Sequence, residues 1–147
     1  MVSLAPTPRG LHIHAVAFSV AAEVVEASIV EDPLPTYFLF GRTIELALKS
    51  FLLAEGIPIA KLKSKALGHD LDALFSESER HGISKYIGRE AIYYGIVKVL
   101  NIDYLSKRFE YRQTGAVYRL PDAVLIRRFI NRLLQGIDFY LKTQHRI

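Results

Sequence analysis

The sequence predicts an all-α fold: one domain over residues 1–147, an up-and-down bundle of about five helices with a short β-hairpin or ordered loop before the last. Two observations predict it. Apolar residues recur at three- and four-residue spacing through most of the chain, and Pro and Gly punctuate those stretches. Half of the 147 residues are apolar and 23% are charged, with no repeat or low-complexity tract, which is the balance of a globular domain able to bury one core.

Thr7-Pro8 reads as an N-cap followed by the first helical residue, predicting a helix over about residues 8–31 with Leu11, Ala15, Phe18, Ala22, Val25 and Ile29 inward. The alternation from Leu11 to Val16 also suits a short strand. Asp32-Pro33-Leu34-Pro35 ends the segment, because each proline removes a donor and restricts its predecessor. A second helix over 37–55 is apolar around most of its circumference and stops at Gly56, which places it at the centre of the bundle. Beyond Ile57-Pro58 and a basic loop, a third helix spans about 70–80 with Leu71, Leu74 and Phe75 inward, closed by Gly82. A fourth runs from 85 or 89 to 105, burying Ile92, Ile96, Val99 and Leu100, and its Gly95 marks close packing or a slight bend. The period then changes over 107–120, where strand formers and a Gln113-Thr114-Gly115 turn suit a hairpin or an ordered loop. Leu120-Pro121-Asp122 opens an amphipathic last helix reaching about residue 144.

The chain has no cysteine, so a disulfide framework and a thiolate zinc site are excluded. His12, His14 and Ser19 interrupt the apolar stretch near the N-terminus, and Arg42, Glu45 and Lys49 interrupt the one from 37 to 54. Neither reads as a leader or a membrane span, and the expected location is cytoplasmic. Charge is uneven. Residues 107–147 hold nine Lys and Arg against three acids, a surplus of six within a net charge of +4, so the first 106 residues carry −2. A basic C-terminal third suits a phosphate-bearing partner or a solvated helix face.

On the second helix Arg42, Glu45 and Lys49 fall within about 60° of one another on an otherwise apolar cylinder. They form either a self-neutralising network that fixes helix register or part of a pocket. His69, in Gly68-His69-Asp70-Leu71, either caps the next helix along with Asp70 or faces the charged stripe as an acid or base. His12 and His14 lie about 200° apart on a helix and cannot share a metal, so neither metal nor cofactor is expected. Between Lys107 and Arg119, basic residues alternate with aromatics, a composition that can hold phosphates and bases. No Walker loop, GxGxxG, GxSxG or HExxH occurs, which leaves ATP hydrolysis, dinucleotide chemistry, serine hydrolysis and zinc proteolysis without support.

The run from Tyr37 to Gly56, above all Glu45-Leu-Ala-Leu-Lys49, together with Gly68-His-Asp-Leu71, resembles the HEPN superfamily of helical bundles over about residues 37–80. The resemblance implies a dimeric bundle that binds RNA or nucleotides, often in prokaryotic toxin–antitoxin or defence systems beside a nucleotidyltransferase antitoxin. Active members resemble metal-independent ribonucleases that use an Arg and a His four to six residues apart. In this chain the only such spacing is Arg9 to His14, near the N-terminus, while Arg132 and His145 in the late helix lie too far apart. RNA or nucleotide binding by a homodimer is therefore the expected function, no catalytic residue is assigned, and a non-catalytic protein-interaction module is the alternative. The ligand site expected is a cleft lined by Arg42, Glu45 and Lys49 and bordered by His69, Arg108, Tyr111, Arg112 and Arg119.

Overall fold

The computed structural model describes residues 6–28 and 31–144, so the expected roles of Ile29 and His145 lie outside the described residues. The fold is all-α, with seven helices among the described residues: α1 Pro8–Ala27, α2 Leu34–Ala54, α3 Ile59–Leu62, α4 Leu71–Arg80, α5 Ser84–Ile87, α6 Ala91–Leu105 and α7 Ala123–Thr143. The count exceeds five because α3 and α5 are single turns of four residues. Gly88, at a φ of 83°, separates α5 from α6 and splits what the periodicity reads as one helix.

Starts and stops follow the sequence chemistry. The Thr7 hydroxyl accepts from the Gly10 amide at 2.9 Å, and Asp122 accepts from the amides of Val124 and Leu125. Three helices end in the same left-handed cap. Gly56, Gly82 and Lys107 each take positive φ, at 99°, 85° and 63°, and the next amide reaches back to a carbonyl five residues earlier: Ile57 to Leu52, Ile83 to Ser78, Arg108 to Asp103. Two of those positions hold the residue that the geometry favours; a lysine at the third costs on the order of 1 kcal/mol.

Bonds between helix ends give the directions. Ser50, late in α2, donates to the Pro8 carbonyl at the start of α1, and Arg127, early in α7, pairs with Glu26, late in α1. Thus α1 runs against both α2 and α7. His69 and His81, which flank α4, meet Glu45 of α2 and Glu55 at its C-cap, so α4 runs with α2. Lys98 meets Asp72 and Tyr94 meets Glu79, which sets α6 against α4. Strict up-and-down alternation is therefore broken between α2 and α4, because residues 55–70 carry the chain back along α2 before α4 begins.

Helix α2 packs against α1, α3, α4, α6 and α7, as its near-continuous apolar surface demands. Phe40, Ile44, Leu48, Phe51 and Leu52 are fully buried there, each contributing about 1.5 to 3 kcal/mol. Helix α1 packs on α2 through a stripe rotated from the expected one: His12, Ala15, Ser19 and Ala22 are buried, and Leu11, Phe18 and Val25 only partly. Small side chains let the two helices approach closely. The His12 Nε2–H donates to the Leu134 carbonyl at 2.9 Å, so that histidine anchors α1 to α7. The rotation leaves Ile13, Val16, Val20 and Val24 exposed along the outer face of α1.

Close packing of a helical glycine against another helix falls at Gly41 and Gly136 rather than at Gly95, where an added Cβ would meet nothing within 4 Å. At Gly136 it would lie 2.6 Å from the Tyr86 carbonyl oxygen, and at Gly41 only 2.2 Å from the Tyr104 ring.

Residues 106–122 form an ordered loop, with no strand among the described residues. Side chains take the backbone groups that a hairpin would pair. Buried Asp103 accepts from the Arg119 amide at 2.8 Å, Arg108 donates to the Val117 carbonyl at 2.9 Å, and the Tyr118 hydroxyl bridges the Arg108 carbonyl and the Gln113 amide. The Arg108 guanidinium lies 3.0 Å from Asp103 and 4.7 Å above the Tyr118 ring. Replacing Arg108 by alanine leaves a wholly buried carboxylate without its counter-charge. The expected loss in a urea titration is about 3 kcal/mol, the low end for a broken buried pair because the guanidinium itself is partly exposed.

Candidate functional site

Four donors converge on Glu45 in the middle of α2, whose side chain is 2% exposed. Arg42 and Lys49, one turn away on either side, each reach Oε2 at 3.0 Å. The Tyr104 hydroxyl of α6 and the His69 Nδ1 donate to Oε1 at 2.7 and 2.9 Å. A carboxylate offers about four lone-pair sites, and all are matched. Burial alone would push this carboxyl up; the Tyr104 hydroxyl, the Lys49 ammonium and the His69 ring outweigh it and hold Glu45 below the usual carboxylate range. The same contact pushes the Tyr104 hydroxyl far above its ordinary value, through burial first and the Glu45 charge second.

Each partner is placed by its own local device. Asp70 caps α4 by accepting from the Ala73 amide at 3.1 Å and also accepts from the Asn101 side chain at 3.0 Å. The Asn101 oxygen in turn accepts from the Leu71 amide at 2.9 Å, which ties the start of α4 to α6. Capping thus falls to Asp70, and His69, next to it, is free to meet the charged stripe. Because ionised Glu45 can only accept, the His69 Nδ1 carries the proton, and Nε2 is left as the acceptor of the neutral ring. Gly41 has no Cβ to block the Tyr104 ring, which is why that phenol can cross α2 to reach Glu45.

Above this network opens a cleft of about 120 Å³ lined by Phe38, Arg42, His69, Tyr104, Lys107 and Glu110. Arg42 also lies over the Phe18 ring, 5.4 Å from its centroid. Lys107 and Glu110 are exposed and have no ion-pair partner among the described residues.

Of the expected site residues, the structure brings Arg42, Glu45, Lys49 and His69 together, with Glu45 and Lys49 behind the cleft wall. Arg108, Tyr111, Arg112 and Arg119 are not among the residues lining that cleft. Arg108 is tied to Asp103, and Arg112 pairs with Asp32 at 2.7 Å beside a separate depression. Tyr111 and Arg119 are exposed. Arg9 pairs with Asp138 at 2.7 Å, while His14 packs against the Phe18 ring.

Comparison with protein-family models, curated proteins and solved structures returns no match.

Sequence reasoning missed Phe38, Tyr104 and Glu110 as lining residues, and it named Lys107 only as the start of the basic aromatic segment, not as a residue of the cleft. Among the described residues no group of three or more His, Asp or Glu is placed to hold a metal ion. The arrangement offers an anion two cations and one histidine, and that histidine, with its carboxylate behind it, can exchange a proton with a bound group.

Proposed function

We propose that this chain is a HEPN-like protein that binds RNA or a nucleotide in the Arg42–His69–Lys107 cleft, as a cytoplasmic component of a prokaryotic toxin–antitoxin or defence system with a cognate nucleotidyltransferase antitoxin. The observation that carries the reading is the cleft itself: Arg42, Lys107 and His69 border an opening, and the Glu45 carboxylate behind its wall is already matched by charges from within the protein. Cations suit phosphate, Glu110 can accept from a sugar hydroxyl or base amine, and the Phe38 ring offers an apolar face for a base. The test is titration of a labelled single-stranded RNA, and separately of nucleotides, at several salt concentrations. Binding of RNA should weaken with a log–log slope of about −0.7 per phosphate contact. Wild-type protein that binds neither, at any salt, would hand the site to the interaction-module reading, with the Glu45 network serving only the fold.

A homodimer is part of the proposal, and the outer face of α1 supports it. Ile13, Val16, Val20 and Val24 form one exposed apolar stripe, and this helix is long and apolar enough to cross a membrane by length and composition. An antiparallel two-fold pairing of α1 would set Ile13 against Val24 of the second copy and bury the stripe against its own counterpart. Light scattering should return twice the 16.6 kDa of one chain. A wild-type monomer, or a monomer that binds lipid vesicles, would remove the dimer.

A further inference from the structure

The cap that ends α6 differs from its two counterparts in one respect, and that difference sits on the cleft. Gly56 and Gly82 close α2 and α4 with positive φ, and neither is among the residues lining the cleft. Lys107 closes α6 in the same hydrogen-bonded cap at a φ of 63°, where its Cβ is strained and glycine is the favoured residue. Its side chain is exposed, makes no ion pair among the described residues, and lines the cleft with Arg42 and His69. Nothing in the packing of the fold accounts for a lysine at this position. Strain held where a side chain borders an opening points to a use for that side chain.

We infer that Lys107 is a phosphate-binding residue, and that it, Arg42 and His69 form a subsite for one phosphate group of the ligand. The inference rests on the RNA- or nucleotide-binding reading and narrows it. Arg42 keeps one Nη on Glu45 and has donors left over; the ammonium of Lys107 is a mobile point charge across the cleft; His69 completes the subsite in its imidazolium form, which donates from Nε2 while Nδ1 stays on Glu45. Lys49 is excluded from it, because its ammonium is held on Glu45 with the side chain 12% exposed. Glu110 is the one carboxylate lining the cleft, so it favours ligands with a hydroxyl or amine beside the phosphate over bare phosphate.

The test is a pair of variants read in two ways. Lys107→Gly relieves the strained cap, so its Tm should rise by about 2 to 4 °C. The same variant should bind inorganic pyrophosphate and single-stranded RNA about tenfold more weakly, with a shallower salt slope, because one charge-assisted contact is lost. Lys107→Arg should keep the affinity and show no gain in Tm. A higher Tm with unchanged affinity for both probes would overturn the inference while leaving RNA binding in place, and so would an unchanged Tm, since the strain argument would then be void. Wild-type protein that binds RNA but not pyrophosphate would overturn the subsite alone; protein that binds no RNA, nucleotide or pyrophosphate would remove the broader reading with it.

Discussion

Glu45→Gln is expected to lower the unfolding free energy by about 3 to 5 kcal/mol at neutral pH, the largest effect of any single replacement of a charged residue in this chain. The amide removes the charge that matches Arg42 and Lys49, and it turns an NH2 toward donors where only an acceptor fits. Replacing Lys49 by methionine in that background should recover part of the loss, because it removes a cation that is then unmatched. Denaturant titrations of the two variants check both statements. The acid limb supplies a second readout. The Glu45 carboxyl is held below the 4.5 that it would have when free. Its contribution is therefore complete above about that pH and is lost as pH falls through the depressed folded value. Wild-type stability should drop across that window more steeply than that of Glu45→Gln.

Gly41→Ala should be nearly as damaging, although it is a helical glycine replaced by the best helix former. Propensity favours the change by about 1 kcal/mol. Against it, the new Cβ would stand 2.2 Å from the Tyr104 ring, and overpacking of this kind costs about 1 to 3 kcal/mol. Moving the ring also breaks its hydrogen bond to Glu45, worth about 1.5 to 3 kcal/mol for a charged partner. Net destabilisation of about 2 to 4 kcal/mol follows from those terms. Gly95→Ala is the control: with open space around it, the same substitution should stabilise by up to about 1 kcal/mol. In a Tyr104→Leu background the Gly41 penalty should shrink, and a double-mutant cycle would read the coupling.

The five longer helices, the capping oxygens that open α1 and α7 and the central place of α2 were legible because each is written in local chemistry: period, proline, glycine and capping side chains. The meeting of Arg42, Glu45 and Lys49 was legible for the same reason, since all three lie within two turns. The part of the site contributed by α6 was not. Tyr104 is one of 8 tyrosines, and only the tertiary path shows that its hydroxyl reaches Glu45. The basic segment misled for a physical reason. A run of arginines reads as a free charged surface, yet Arg108, Arg112 and Arg127 each meet an acid from elsewhere in the chain: Asp103, Asp32 and Glu26. Glycine misled likewise, because a tight contact belongs to two surfaces and only one of them is in the local sequence. Gly95 and Gly41 look alike in a string of letters.

The partners of Glu45 also differ in how far they must travel to reach it. Arg42 and Lys49 arrive as soon as α2 coils, whereas His69 and Tyr104 come from 24 and 59 positions further along the chain. The additional entropy of closing the longer loop is small, about 1 kcal/mol, but order matters. If α2 leaves water before the two distant donors arrive, its carboxylate is dehydrated with half its hydrogen bonds missing, and that compact state is penalised by several kcal/mol. Collapse around α2 is thereby held open until the turn before α4 and the end of α6 have docked. Glu45 thus discriminates against misassembled compact forms during folding, and its loss should slow the search for the native arrangement as well as weaken the native arrangement itself.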